Sequence, residues 1–260
     1  MMIGVSLPLR VHEFGEPGDT PLLALHGVTG HGQRWQRLAR QQLAGYRVIA
    51  PDLRGHGESV RLPPWTLERH AADLLAVLDR LGLSGLPVIG HSFGAAVAIY
   101  LARLAPQRVT KLILVDPAIG LEPDFADEHI SDVPKVFGRW QDAAAEQRRI
   151  WPTLSDDLIN EELAVNLVRL GDVWTPRYRH AAVITAWSEM CRAAQLPPPM
   201  TPTLLVSALR ERFVRPEFVR ACRITLGDRF EFASLDCGHM VYFERPVELH
   251  SLIDDFLGRS

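Results

Sequence analysis

Apolar and polar positions along the chain change period repeatedly. Residues 22–26 form a short apolar run that ends at Gly27, the pattern of a buried strand. Residues 33–43 have helical character, and Tyr46–Pro51 is strand-like again. Between residues 67 and 81, Leu67, Leu74, Leu75, Leu78 and Leu81 fall on one helix face. Residues 86–90 predict a strand. Residues 92–105 predict a helix, which Pro106 stops. Val109–Val115 predicts another strand. Strands separated by helical runs of this length are the signature of βαβ crossovers and a mostly parallel central sheet flanked by helices.

The rhythm then breaks. From about Ala118 to Pro202 no strand is expected, only helices over residues 142–150, 156–170 and 177–194. Trp140, Trp151, Trp174 and Trp187 lie here, and Pro197, Pro198, Pro199 and Pro202 close the segment. Alternation resumes with a strand at residues 203–207, a helix at 216–223 and a strand at Phe230–Leu235. A last helix starts at Pro246, a favoured first-turn position. Its Leu249, Leu252, Ile253, Phe256 and Leu257 line one face. The organisation expected is therefore an α/β core, residues 1–117 and 203–260, interrupted by a helical cap (lid) insertion at 118–202, too long for an ordinary loop. The tryptophans fit two readings. They can form the insertion's own small core, as most aromatics do, or Trp140, Trp151 and Trp187 can line a pocket beneath it.

Composition removes several alternatives. With 260 residues, 47% of them hydrophobic, the chain can bury a full core unaided. A net charge of −3 gives no basic footprint for nucleic acid. The longest apolar run, Ala95 to Ala102, is eight residues, where a spanning helix needs about twenty. Residues 1–10 do not read as a secretory signal. Cys191, Cys222 and Cys237 show no CxxC spacing and read as free thiols of a reducing, cytoplasmic compartment. All but two of the 28 cations, Lys111 and Lys135, are arginine, read as coding bias. No metal motif or dinucleotide fingerprint is present, so no cofactor is expected. The partner expected is a small molecule, and the chain a monomer or homodimer.

The sharpest motif is Gly90-His91-Ser92-Phe93-Gly94. G-x-S-x-G between a strand and a helix is the context of a nucleophile elbow. Ser92 must then sit on a tight turn with its oxygen beyond the sheet edge, so close neighbours must be small; Gly90, Gly94, Ala95 and Ala96 meet that need. The N–H of Phe93 lies at the helix start, where unpaired donors and the helix dipole favour an anion.

At this point the chain resembles the α/β-hydrolase family over nearly its whole length. His26-Gly27 is similar to the family's oxyanion turn. Residues 52–59, DLRGHGES, are similar to its D-x-R-G-x-G-x-S segment, and Gly238-His239 to its late histidine loop. The resemblance implies a serine hydrolase with a Ser-acid-His triad. Ser92 would be the nucleophile. His239, in a loop between the last strand and last helix, would be the base. Val28 and Phe93 N–H groups would form the oxyanion hole. The acid is open. Glu211 occupies the place of the family's usual Asp after the strand at 203–207, and is preferred; Asp116, one strand earlier, is the alternative. A small to medium carboxylic ester is the expected substrate, cleaved through an acyl-enzyme. The same triad also serves C–C hydrolases, lyases, amidases and lactonases, and the fold serves some receptors.

Overall fold

A computed structural model describes residues 9–130 and 133–258. The stretch read as lacking a secretory signal lies largely outside these residues.

The elements in chain order are β1 (Val11–Phe14), β2 (Thr20–Leu25), α1 (Gln36–Gln42), β3 (Tyr46–Pro51), α2 (Leu67–Arg80), β4 (Leu86–His91), α3 (Phe93–Leu104) and β5 (Val109–Val115). The segment before the next core strand holds α4 (Pro123–Asp127), α5 (Trp140–Ile150), α6 (Asp156–Asn166), β6 (Leu167–Leu170), β7 (Val173–Pro176) and α7 (His180–Met190). Then follow β8 (Thr203–Ala208), α8 (Pro216–Leu226), β9 (Phe230–Leu235), α9 (Val241–Glu244) and α10 (Pro246–Gly258).

The main sheet has seven strands in the order β1-β3-β2-β4-β5-β8-β9. Only β1 pairs antiparallel, with β3; the rest are parallel. Period-two alternation divides its side chains between two layers. Leu23 and Leu25 face α2, α3 and α8, while Leu22 and Ala24 face α1 and α10. From β2 the chain goes first to β3 on one side, then crosses to β4 on the other. A crevice at such a reversal, outside the carboxyl ends of parallel strands, is where α/β sheets hold ligands. Here it is flanked by residues following β2 and β4.

The helical reading of residues 118–202 needs one correction. Residues 167–170 do not continue α6; they pair antiparallel with β7 as a hairpin. Gly171, with φ at +60°, makes the turn. The Gly171-Asp172 pair between short apolar runs is a hairpin signal that the helical spacing obscured. The segment has a core of its own, with Ala143, Ala144, Ile159, Leu163 and Leu167 buried. Trp140 and Trp174 pack against it, their rings edge to face at 5.1 Å. The antiparallel edge strand β1 and the short helices α4 and α9 were also missed, being too brief to show a period.

Candidate active site

Ser92 stands between β4 and α3 with φ at +55° and ψ at −119°, a conformation that L-residues avoid. Backbone bonds hold it there: its N–H donates to the Val115 carbonyl (3.0 Å), and its own carbonyl accepts from Ala95 N–H (3.0 Å). It occupies the N-cap position of α3, yet its side chain makes no capping bond. The neighbouring glycines are steric necessities. A Cβ on Gly90 would strike the Gly94 carbonyl, and one on Gly94 would strike the Leu25 carbonyl. Across the crevice, a Cβ on Gly27 would lie 3.0 Å from that of Ser92.

His239 follows β9. Its Nδ1–H donates to Asp116 Oδ2 at 2.6 Å. Asp116 is fully buried at the end of β5, with φ at +40°. Its other oxygen accepts the Ala208 N–H (3.0 Å), and its own N–H donates to the Val206 carbonyl (2.7 Å). The carboxylate is thus clamped against the next strand and aimed at the imidazole. This corrects the preference for Glu211 as partner of the ring. Glu211 is exposed, and its Oε1 accepts only the backbone N–H of His239, at 3.3 Å. Strand order and the left-handed turn at Asp116 bring the earlier carboxylate inward and leave the later one in solvent.

Two further side chains hold His239. Phe213, buried in the loop after β8, stacks on its ring at 4.0 Å and 24°. His91 contacts its backbone: Nε2 of His91 lies 2.8 Å from the His239 carbonyl and is the donor. Burial pushes the His91 imidazole well below its usual range, and nearby His239 adds to this, so the ring is neutral. Phe213 carries no motif or periodicity that marks it for the site. The His91 ring lies 4.5 Å from that of His239 and meets Tyr242 edge to face at 5.0 Å.

The turn after β2 lies opposite. Gly30 N–H donates to the Gly27 carbonyl (3.1 Å), which places Val28 and Thr29 at the two central positions, Thr29 with φ at +62°. His26 braces this turn: its Nδ1–H donates to the Gly27 carbonyl (2.7 Å) and its Nε2 accepts Leu53 N–H (2.9 Å). Residues 52–59 form a buried scaffold. Asp52 accepts the N–H groups of Gly32 (2.7 Å) and Glu58 (2.9 Å), and Arg54 forks onto Asp73 at 2.6 and 2.8 Å. Burial alone would raise the Asp52 pKa, but its hydrogen bonds, that to His12 foremost, hold it well below the usual carboxylate range. Ser92, Asp116 and Thr29, the non-glycine residues at positive φ among those described, all lie around the one crevice. Strained backbone of this kind costs about 1–3 kcal/mol per residue and collects at functional sites.

A model of the family described as the alpha/beta hydrolase fold matches residues 20–246. The chain belongs to this family. Among its relatives is Lipase LipV of Mycobacterium tuberculosis, 36% identical, with 97% of this chain and 98% of the lipase aligned. The 2-hydroxymuconate semialdehyde hydrolase of a Pseudomonas strain is 28% identical over 100% of this chain and 93% of its own. In three dimensions an E-2-(acetamidomethylene)succinate hydrolase superposes with a TM-score of 0.86 at 20% identity, over 96% of this chain and 95% of that one, a likeness of fold. The chain is thus an α/β-family hydrolase with lipase and esterase relatives.

A cavity of about 230 Å³ opens beside this hydrolase's Val28–Thr29 turn. Trp151 and Trp187 line it, with Tyr178 and Val183. Trp140 does not: its ring packs against the core of the 118–202 segment, and its indole N–H donates to Asn160 Oδ1 at 3.1 Å near the surface. A larger cleft, about 550 Å³, runs between α1 and α6; neither Ser92 nor His239 is among the lining residues of either space, and the smaller one reaches the site through Val28 and Thr29. No helix among the described residues is long and apolar enough to cross a membrane.

Proposed function

We propose that this chain is a serine hydrolase that cleaves a small to medium carboxylic ester through an acyl-enzyme on Ser92. The observation that carries this reading is the His239–Asp116 hydrogen bond beside the strained serine elbow. Asp116 holds the Nδ1 proton, so Nε2 is left as the basic nitrogen that takes the Ser92 proton. Ser92 Oγ attacks the ester carbonyl. The N–H groups of Phe93 and Val28 receive the developing oxyanion, and that of Phe93 gains from the start of α3. His239 then protonates the leaving alcohol, and a water activated by the same imidazole releases the acid. Residues 118–202 act as a cap whose Trp151 and Trp187 bound the acyl group; residues 1–117 and 203–260 form the catalytic core. A cavity of about 230 Å³ is below the roughly 300–1,000 Å³ of most ligand pockets and favours short chains.

Ser92→Ala is the test. With p-nitrophenyl butyrate the wild type is expected to show a burst and turnover, and the variant none above background. Turnover retained by Ser92→Ala would refute the mechanism. A second reading, hydrolysis of a C–C bond in a vinylogous diketone, is supported by the full-length similarity to the semialdehyde hydrolase. A ring-fission diketone consumed faster than any p-nitrophenyl ester would favour it.

A further inference from the structure

The turn that carries Val28 is held by a buried cluster rooted in α6, far away in sequence. Glu162, 2% exposed in its side chain, receives Arg34 Nη2 at 2.6 Å and Arg34 Nε at 3.1 Å, with His31 Nε2 at 3.1 Å from its second oxygen. Burial alone would raise the Glu162 pKa; the Arg34 guanidinium and the hydrogen bonds from His31 and Arg34 hold it well below the usual carboxylate range. One helical turn on, Asn166 donates through Nδ2 to Glu162 Oε1 (3.2 Å) and to the carbonyl of Thr29 (3.0 Å). Both neighbours are acceptors, so the orientation of this amide is determined. Arg34 Nη2 also reaches the Thr29 carbonyl, at 3.3 Å. Thr29 occupies the third position of its turn with φ at +62°, a place that suits glycine or asparagine and strains a β-branched residue. Two donors, both anchored on Glu162, thus seize the exit carbonyl of a turn that would relax if released. Relaxation rotates the peptide between Val28 and Thr29 and shifts Val28 relative to Ser92.

We infer that Asn166 and Glu162 are positioning residues for the hydrolysis: Asn166 and Arg34, both held by Glu162, grip the Thr29 carbonyl and so keep the Val28 N–H aimed at the reacting oxygen. This rests on the oxyanion role proposed above for Val28. It makes the 118–202 segment part of the catalytic apparatus as well as a wall of the cavity.

The experiment combines kinetics with rescue. Asn166→Ala removes one grip and leaves the Arg34–Glu162 pair intact. Its kcat on p-nitrophenyl butyrate is expected to fall about ten- to a hundredfold, below the roughly 10²–10³ of losing an oxyanion donor outright, with KM within about twofold. Affinity for a trifluoromethyl ketone, which forms the tetrahedral adduct, should fall by the same factor as kcat/KM. Asn166→Leu, of similar size but without the donor, should behave alike and serves if the alanine variant does not fold. Adding Thr29→Gly to either variant should restore most of the lost kcat, because glycine holds a positive φ without strain. The inference is overturned if Asn166→Ala and Asn166→Leu keep kcat within about twofold. It is equally overturned if activity is lost but Thr29→Gly brings none of it back, the outcome of a purely structural clamp. Failure of the serine mechanism itself shows separately, as turnover by Ser92→Ala.

Discussion

At the scale of single residues, the two candidate carboxylates differ in what they touch. Asp116 is buried and bonded to the His239 ring, whereas Glu211 meets only backbone. Asp116→Asn is therefore expected to lower kcat by up to about 10⁴, the cost of presenting the wrong imidazole tautomer. Glu211→Gln should stay within about threefold. Steady-state kinetics on one activated ester checks both, and the reverse order would return the acid to Glu211. The glycines beside Ser92 lead to a stability prediction. Gly94→Ala drives a Cβ into the carbonyls of Leu25 and His26. About 1–3 kcal/mol or more should be lost in urea unfolding, as for other overpacked sites. The serine and its glycines were legible in sequence because each occupies a place where bulk is excluded by geometry local to the chain. The acid was not, because two strand ends with suitable carboxylates present the same local pattern.

Elements explain the division among the tryptophans. Trp140 begins α5 and packs inward on Trp174. Trp187 lies on α7 and faces the cavity, its ring stacked with His129 at 5.1 Å. Trp187→Ala should widen the cavity and shift the preferred p-nitrophenyl ester toward longer chains. Trp140→Ala should lower Tm and leave that preference alone. A chain-length series run on both variants separates the roles, and equal shifts would contradict the assignment. Helical periodicity located α5 and α7 but could not say which of their faces meets the insertion's own core and which the cavity. It also carried α6 through residues 167–170, because strand and helix are hard to tell apart in a short apolar run.

Across the whole molecule, buried neutral histidines set the response to acid. Burial lowers the pKa of His56 to about 4 and of His70 to about 3, each from 6.5. Below pH 6.5 the unfolded chain takes up protons at these sites and the folded protein does not. Stability is therefore full above pH 6.5 and declines as pH falls toward 4. At pH 5 each site should cost about 2 kcal/mol. Tm measured from pH 7.5 to 4.5 should fall, and His70→Leu should flatten the slope. A Tm unchanged across that range would contradict the assignment of both rings as neutral.

The amino-acid sequence by itself determined the alternation of strands and helices, the parallel sheet, the interruption at 118–202, the serine elbow and the late histidine loop. Each is written in local spacing: a buried strand must be continuously apolar, and a tight elbow must be flanked by glycine. Tertiary structure alone decided that Asp116 meets His239, that Phe213 stacks on it, and that Asn166 grips the Thr29 turn. These partners lie on different elements, 26 to 137 residues apart in sequence. Their meeting depends on strand order, on left-handed turns at Asp116 and Thr29, and on how α6 docks. No periodicity along one chain encodes those distances.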